Sequence, residues 1–223
     1  MQENLRQGPR VPKFIWAGAF IVFVLVVFFG FRSMKVGIPT NGRVLDNYGA
    51  VPDFTLTDQT GKPVSLKDLK GKVWVADFIY TECKGPCPLI TSRLQEVNQE
   101  LDKSHKDVRL VSFSVDPEND TPQVLAEYGK SVHADPENWK FLTGTPAEIQ
   151  HVVMDGLLQS LAKEPSGTPA HSTRFVIVDR NGNMRAFEDA TTHEAVQKTL
   201  LDIGSLLRER TGVNSKEEQT PQK

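Results

Sequence analysis

The sequence predicts an α/β domain, a mixed sheet flanked by helices on both faces, carried behind a single N-terminal transmembrane helix. Three observations predict it. Phe14 to Phe31 is an uncharged run of eighteen residues. Downstream, apolar β-branched runs alternate with segments of helical periodicity and helix-capping signals. The chain's two cysteines, Cys83 and Cys87, stand where a buried strand gives way to a helix. With 39% hydrophobic and 24% charged residues among 223, the composition is that of an ordinary globular protein. A folded region of about 150 residues buries roughly 68–70% of its unfolded surface and needs no staple. The net charge of -2 excludes the basic surface that a nucleic-acid partner requires.

Residues 1–13 form a short arm and 14–31 the anchor. Eighteen helical residues span roughly 27 Å, close to the hydrocarbon thickness of a bilayer. The run is longer than a signal peptide's apolar stretch. Arg32-Ser33-Met34-Lys35 follows it in place of a small-residue cleavage site, so the anchor is expected to be retained. Arg6, Arg10 and Lys13 before the span slightly outnumber Arg32 and Lys35 after it, which favours a cytoplasmic arm. The expected location is the bacterial cytoplasmic membrane, with the domain on its outer face.

Residues 32–50, rich in Gly, Pro and Asn, read as a linker. The domain is expected over 51–207. Val51 to Leu56 reads as a strand, and a turn at Asp58-Gln59-Thr60-Gly61 leads to a hairpin partner at Val64-Ser65-Leu66. Val73 to Tyr80 is nearly all apolar, as a strand buried on both faces should be. Leu89, Leu94, Val97 and Leu101 recur at helical spacing. Val108 to Val115 is a second apolar strand. Thr121-Pro122 opens a helix to Ser131, and Trp139 to Leu142 is a short strand. Thr145-Pro146-Ala147-Glu148 is a capping box whose helix is expected to reach Leu161. Arg174 to Asp179 and Met184 to Phe187 form a hairpin around Asn181-Gly182. A last helix runs from His193 to Leu207, and 208–223 is a polar tail.

If Cys83 begins its helix, Cys87 lies one turn on and on the same face. Two thiols so placed can share a metal ion or close to a disulfide. Pro86 and Pro88 are tolerated because the first helical turn has no N–H bond to lose. Free N–H groups at that helix end favour thiolate. A disulfide closing so small a loop is a poor staple, so the pair reads as redox or metal chemistry. Structural zinc wants four ligands. Two thiolates suit Cu(I), and an imidazole ligand would extend binding to Cu(II). His171, in the loop just before the strand from Arg174, is the candidate. His105, His133, His151 and His193 read as surface residues. Asp77 is anomalous in an apolar strand and reads either as tuning the nearby thiols or as facing a polar cavity, while Asp116 and Asp120 read first as turn and cap residues and second as support for the site.

Tyr80-Thr81-Glu82-Cys83-Lys84-Gly85-Pro86-Cys87-Pro88, Ser114 to Pro122 (S-V-D-P-E-N-D-T-P), Leu142-Thr143-Gly144 and His171 together resemble the Sco/SenC family. Its members are copper proteins of cytochrome c oxidase assembly. The similarity spans residues 51–205. It implies a thioredoxin-like fold, a single-pass anchor, and copper as Cu(I) and Cu(II) on Cys83, Cys87 and His171. It also implies a partner, the binuclear copper centre of oxidase subunit II. Two functions are compatible with it: metallochaperone for that centre, or thiol-disulfide oxidoreductase acting on its cysteines through a Cys83–Cys87 redox disulfide. The domain is expected to be monomeric. One departure from the family pattern is Pro86, where many members carry an acidic residue.

Overall fold

In the computed structural model, residues 44–83, 85–101, 106–157 and 172–209 are described, together with the backbone of 162–163 and 169–170. The chain divides into two compact units, 1–37 and 38–223, and every described residue lies in the second. The expected anchor at 14–31 lies outside the described residues, as does the part of the expected 208–223 tail from 210 onward; Arg208 is the last residue of the final helix. Among the described residues no helix is long and apolar enough to cross a membrane.

The strands in chain order are β1 (Thr55–Asp58), β2 (Pro63–Ser65), β3 (Val73–Ile79), β4 (Val108–Ser114), β5 (Trp139–Thr143), β6 (Ala162–Lys163), β7 (Pro169–Ala170), β8 (Arg174–Val178) and β9 (Met184–Asp189). The helices are α1 (Leu66–Leu69), α2 (Cys87–Glu100), α3 (Pro122–Ser131), α4 (Pro146–Gln150) and α5 (Ala195–Arg208), with a π-helix at His151–Gly156. Seven strands form one mixed sheet in the order β2-β1-β5-β4-β3-β8-β9. Strands β3, β4 and β5 run parallel; β1, β2, β8 and β9 pair antiparallel at the two sides. The antiparallel pair β6–β7 forms a separate sheet that precedes β8 in the chain.

Strand β3 is central and buried along its whole length, which is why its sequence is apolar on both faces. Val73, Val75 and Ile79 join a core cluster with Leu94 and Val97 of α2, Leu125 of α3 and Ile203 of α5. Trp74, Ala76 and Phe78 join a second cluster on the other face with Leu56, Leu66, Ile149 and Val152. The period-2 alternation of a strand separates the two sets.

Both hairpins use one turn device. Asp58 accepts backbone N–H bonds from Thr60 and Lys62 (2.8 and 3.0 Å), and Asp179 accepts them from Asn181 and Asn183 (2.8 and 2.9 Å). Gly61 and Gly182 supply the left-handed position each turn needs (φ +81° and +86°).

Several expectations are corrected. The first strand begins at Thr55, not Val51, because the chain before it is engaged elsewhere. Tyr48 and Val51 donate backbone bonds to Met184 and Gly182 (both 2.9 Å), and Leu45 is buried. Residues 44–50, expected as linker, therefore lie along the β8–β9 hairpin. Leu66 is helical rather than extended: the Asp68 carboxylate caps it by accepting from the Ser65 N–H (2.8 Å) and hydroxyl (2.6 Å). The helix opened by the capping box at Thr145 changes to π geometry at His151 and closes at Leu157, whose N–H meets Val152 O at 2.8 Å; 158–161 lie outside the described residues. The last helix begins at Ala195, after His193.

Candidate metal centre

The cysteines follow directly from β3. The β3–β4 ladder closes where Val115 N–H donates to Ile79 O at 2.8 Å, and Tyr80 to Cys83 then turn, with Cys83 N–H on Tyr80 O at 3.2 Å. Helix α2 does not begin at Cys83, as expected, but at Cys87, with Pro86 as its N-cap. The reason is local. Pro86 and Pro88 have no N–H to donate, and the first turn of a helix is the place where none is needed. The buried stripe of α2 runs Cys87, Ile90, Leu94, Val97 to Leu101, and Leu89, read from sequence as core, is 42% exposed.

The two sulfur atoms remain neighbours and are not joined in a disulfide, with Cys83 partly exposed and Cys87 buried. Their acidities diverge. Burial pushes the Cys83 thiol up, but hydrogen bonds from the Cys87 side chain and backbone, from Tyr80 and from the Gly85 backbone outweigh it and hold Cys83 below the usual thiol range. Burial pushes Cys87 well above that range, and its bond to Cys83 adds to the shift. The N-terminus of α2 thus stabilises a thiolate at Cys83, just outside the helix.

Asp77 lies on the β3 face turned towards α2 and is wholly buried. Neither oxygen has a well-formed hydrogen bond among the described residues. Burial raises its carboxyl to about 7; Ser112, opposite it on β4, offsets this only in part. The Ser112 hydroxyl is itself engaged, accepting Trp139 Nε1–H at 2.8 Å. Burial is the main cause that raises Cys87 and Tyr128 of α3, and the Asp77 carboxylate adds to it in both. Tyr128 OH meets Thr91 Oγ1 of α2 at 2.9 Å. Sequence reading singled out Asp77 as anomalous; it placed Tyr80 in the cysteine motif and Trp139 in a strand without a role at the site, and did not single out Ser112 or Tyr128. A polar residue at the register position opposite an anomalous acid was the available signal for Ser112.

His171 lies outside the described residues. The backbone around it is informative nonetheless. Strand β8 runs antiparallel to β3 with Val176 opposite Ala76, so β8 starts at the end of the sheet where β3 stops and the cysteine turn begins. His133 is exposed, with positive φ (55°) just after α3. His151 and His193 are also exposed, as expected for surface residues. Among the described residues no group of three His, Cys, Asp or Glu side chains is arranged to hold a metal ion.

The SCO1/SenC family model matches residues 44–204. The chain belongs to the SCO1/SenC family. The SCO1 protein homolog of Bacillus subtilis is 39% identical over 141 residues, 62% of this chain and 72% of the relative. Among solved structures, that of BsSco, described by its disulfide switch and as a member of the Sco family of cytochrome c oxidase assembly proteins, superposes with TM-score 0.63. It is 32% identical over 73% of this chain and 98% of its own. Bradyrhizobium japonicum ScoI with copper bound superposes with TM-score 0.60 at 30% identity, covering 71% of this chain and 99% of ScoI. The thioredoxin-like α/β fold expected for a Sco protein is the one observed.

Proposed function

We propose that this SCO1/SenC protein is a membrane-anchored copper metallochaperone for the copper centre of cytochrome c oxidase, holding the ion with Cys83, Cys87 and His171. The observation that carries this reading is the pair of adjacent thiols of unlike acidity at the C-terminal end of β3, with β8 entering the sheet at the same end. Soft sulfur donors fit Cu(I), and an imidazole from the segment before β8 would complete a site for Cu(II). The copper-bound ScoI structure supports copper as cargo, and BsSco supports oxidase assembly as its use. The uncharged run at 14–31 supports the anchor, and with it the outer face of a bacterial cytoplasmic membrane.

The test is anaerobic copper titration of the reduced chain and three variants. The parent should take up one ion, with a sulfur-to-copper charge-transfer band for Cu(II). His171→Ala should weaken Cu(II) by at least about tenfold, a cost of roughly 1.4 kcal/mol, while keeping some Cu(I). Cys83→Ser and Cys87→Ser should each lose both. Parental affinity in the double Cys→Ser variant would sink the reading.

A second reading, thiol-disulfide oxidoreductase for the cysteines of the same centre, is favoured by the unlike thiols. An accessible low-pKa thiol beside a buried high-pKa one is the arrangement an exchange reaction uses. It predicts reduction of a disulfide-closed peptide from oxidase subunit II by the copper-free dithiol chain.

A further inference from the structure

Beyond Ile79 the cysteine turn has left the sheet ladder, and a side chain from another loop takes hold of it. Asp120, in the β4–α3 loop, is 1% exposed. Its Oδ1 accepts the Thr81 hydroxyl at 2.5 Å and the Thr81 N–H at 3.2 Å, and that N–H also reaches Oδ2 at 3.3 Å. Oδ2 accepts the Ser114 hydroxyl at 2.5 Å. The Ser114 oxygen in turn accepts Asp116 N–H (3.1 Å), and Asp120 N–H closes the loop on Asp116 O (2.9 Å). The whole turn is braced so that one buried carboxylate faces Thr81.

Thr81 stands between residues that fix Cys83. Tyr80 on one side accepts the Cys83 N–H at 3.2 Å and bonds its sulfur through the side chain; Cys83 itself is two residues on. Clamping the backbone and side chain of Thr81 therefore restrains the turn that brings Cys83 to Cys87. A cap or turn role alone, as expected from sequence, does not account for these bonds. Thr121, not Asp120, caps α3, by accepting Val124 N–H, and three of the four bonds to the Asp120 side chain come from the cysteine turn.

We propose that Asp120 is a positioning residue for the Cys83–Cys87 pair: by clamping Thr81 it presents Cys83 to Cys87 and so sets how readily the two thiols close to a disulfide or share a metal ion. This rests on the reading of the pair as a redox and copper site. Closure removes two electrons and two protons from the thiols and forms one S–S bond. With glutathione disulfide as oxidant, its own S–S bond breaks to give two glutathione thiols, and the exchange balances.

The test is the equilibrium constant for that exchange in the full chain, with the Cu(II) charge-transfer band as a second readout. Asp120→Asn keeps the shape but loses one acceptor. It should make closure about tenfold less favourable, because hydrogen bonds to a carboxylate are among the stronger ones and a less restrained pair has a lower effective concentration. Thr81→Val should move the constant the same way by a smaller factor, and Thr81→Ser should restore it. The double variant Asp120→Asn/Thr81→Val should go no further than Asp120→Asn alone. Thr121→Ala, which removes the helix cap beside Asp120, should lower the melting temperature and leave the constant unchanged. The proposal is overturned if Asp120→Asn and Thr81→Val both keep the parental constant. It is equally overturned if their effects add, or if Thr121→Ala shifts the constant as far. A parent that closes its disulfide but binds no copper refutes the copper reading, and the glutathione constants then decide the role of Asp120 without it.

Discussion

At the scale of single residues, the site is defined by contrast. Cys83 and Cys87 have the same chemistry, four positions apart, and differ because one sits in front of a helix N-terminus and the other is sealed beneath it. Iodoacetamide at neutral pH should therefore modify Cys83 at least about tenfold faster than Cys87. Trypsin cleaves after Lys84, so mass spectrometry reads the two cysteines on separate peptides; equal rates would contradict the assignment. Asp77 makes the opposite contribution. Its carboxyl ionises near 3.8 when unfolded and about 7 when folded. Between those values the folded state binds more protons, so this group lowers stability as pH rises through that window. Asp77→Asn should be more stable than the parent at pH 7 by a few kcal/mol, the gap closing towards pH 4. Urea denaturation of both proteins at several pH values measures the difference directly, and a gap that does not change with pH would refute it.

At the scale of elements, α2 holds the site to the core. Its buried stripe passes from Cys87 through Ile90 and Leu94 to Val97, packed against Val75 and Ile79 of β3 in one cluster. Leu94 is fully buried. Leu94→Ala should cost about 3 kcal/mol in global stability, by lost transfer energy and a residual cavity, read as a lower denaturation midpoint at unchanged slope. Leu89→Ala, five residues nearer the site but on the exposed side, should cost less than about 0.5 kcal/mol. Equal effects would mean that Leu89 belongs to the buried stripe.

At the scale of the whole molecule, Arg185 of β9 joins both ends of the described chain. It donates to Leu45 O and Asp46 O (2.9 and 2.8 Å), to Asp179 (3.1 Å), and to both oxygens of Glu209 (2.6 and 2.9 Å). The segment from residue 44 is thereby part of the domain, in register with the β8–β9 hairpin. A truncated chain starting at residue 44 should fold as a monomer. One starting at residue 52 loses buried Leu45 and Val51 and should melt about 10 °C lower. Matching melting temperatures would show that residues 44–51 are only tether.

Local chemistry was enough to read much of this protein from its sequence. Strand β3 was legible because a strand buried on both faces is apolar almost throughout, Asp77 being its one exception. The two hairpins were legible because Asp and Gly carry the turn in their own side chain and backbone. The helices opened by Thr121-Pro122 and Thr145-Pro146 were legible because caps act over three residues. The pairing of Cys83 with Cys87 needed only their spacing and the strand-to-helix junction. Tertiary structure decided what depends on partners remote in the chain. The exposure of Leu89 follows from which stripe of α2 packs against β3. The unlike acidities of the cysteines follow from burial, which no spacing encodes. The hold of Asp120 on Thr81 joins residues thirty-nine positions apart, brought together only because β3 and β4 lie side by side in parallel and release their loops at the same end of the sheet.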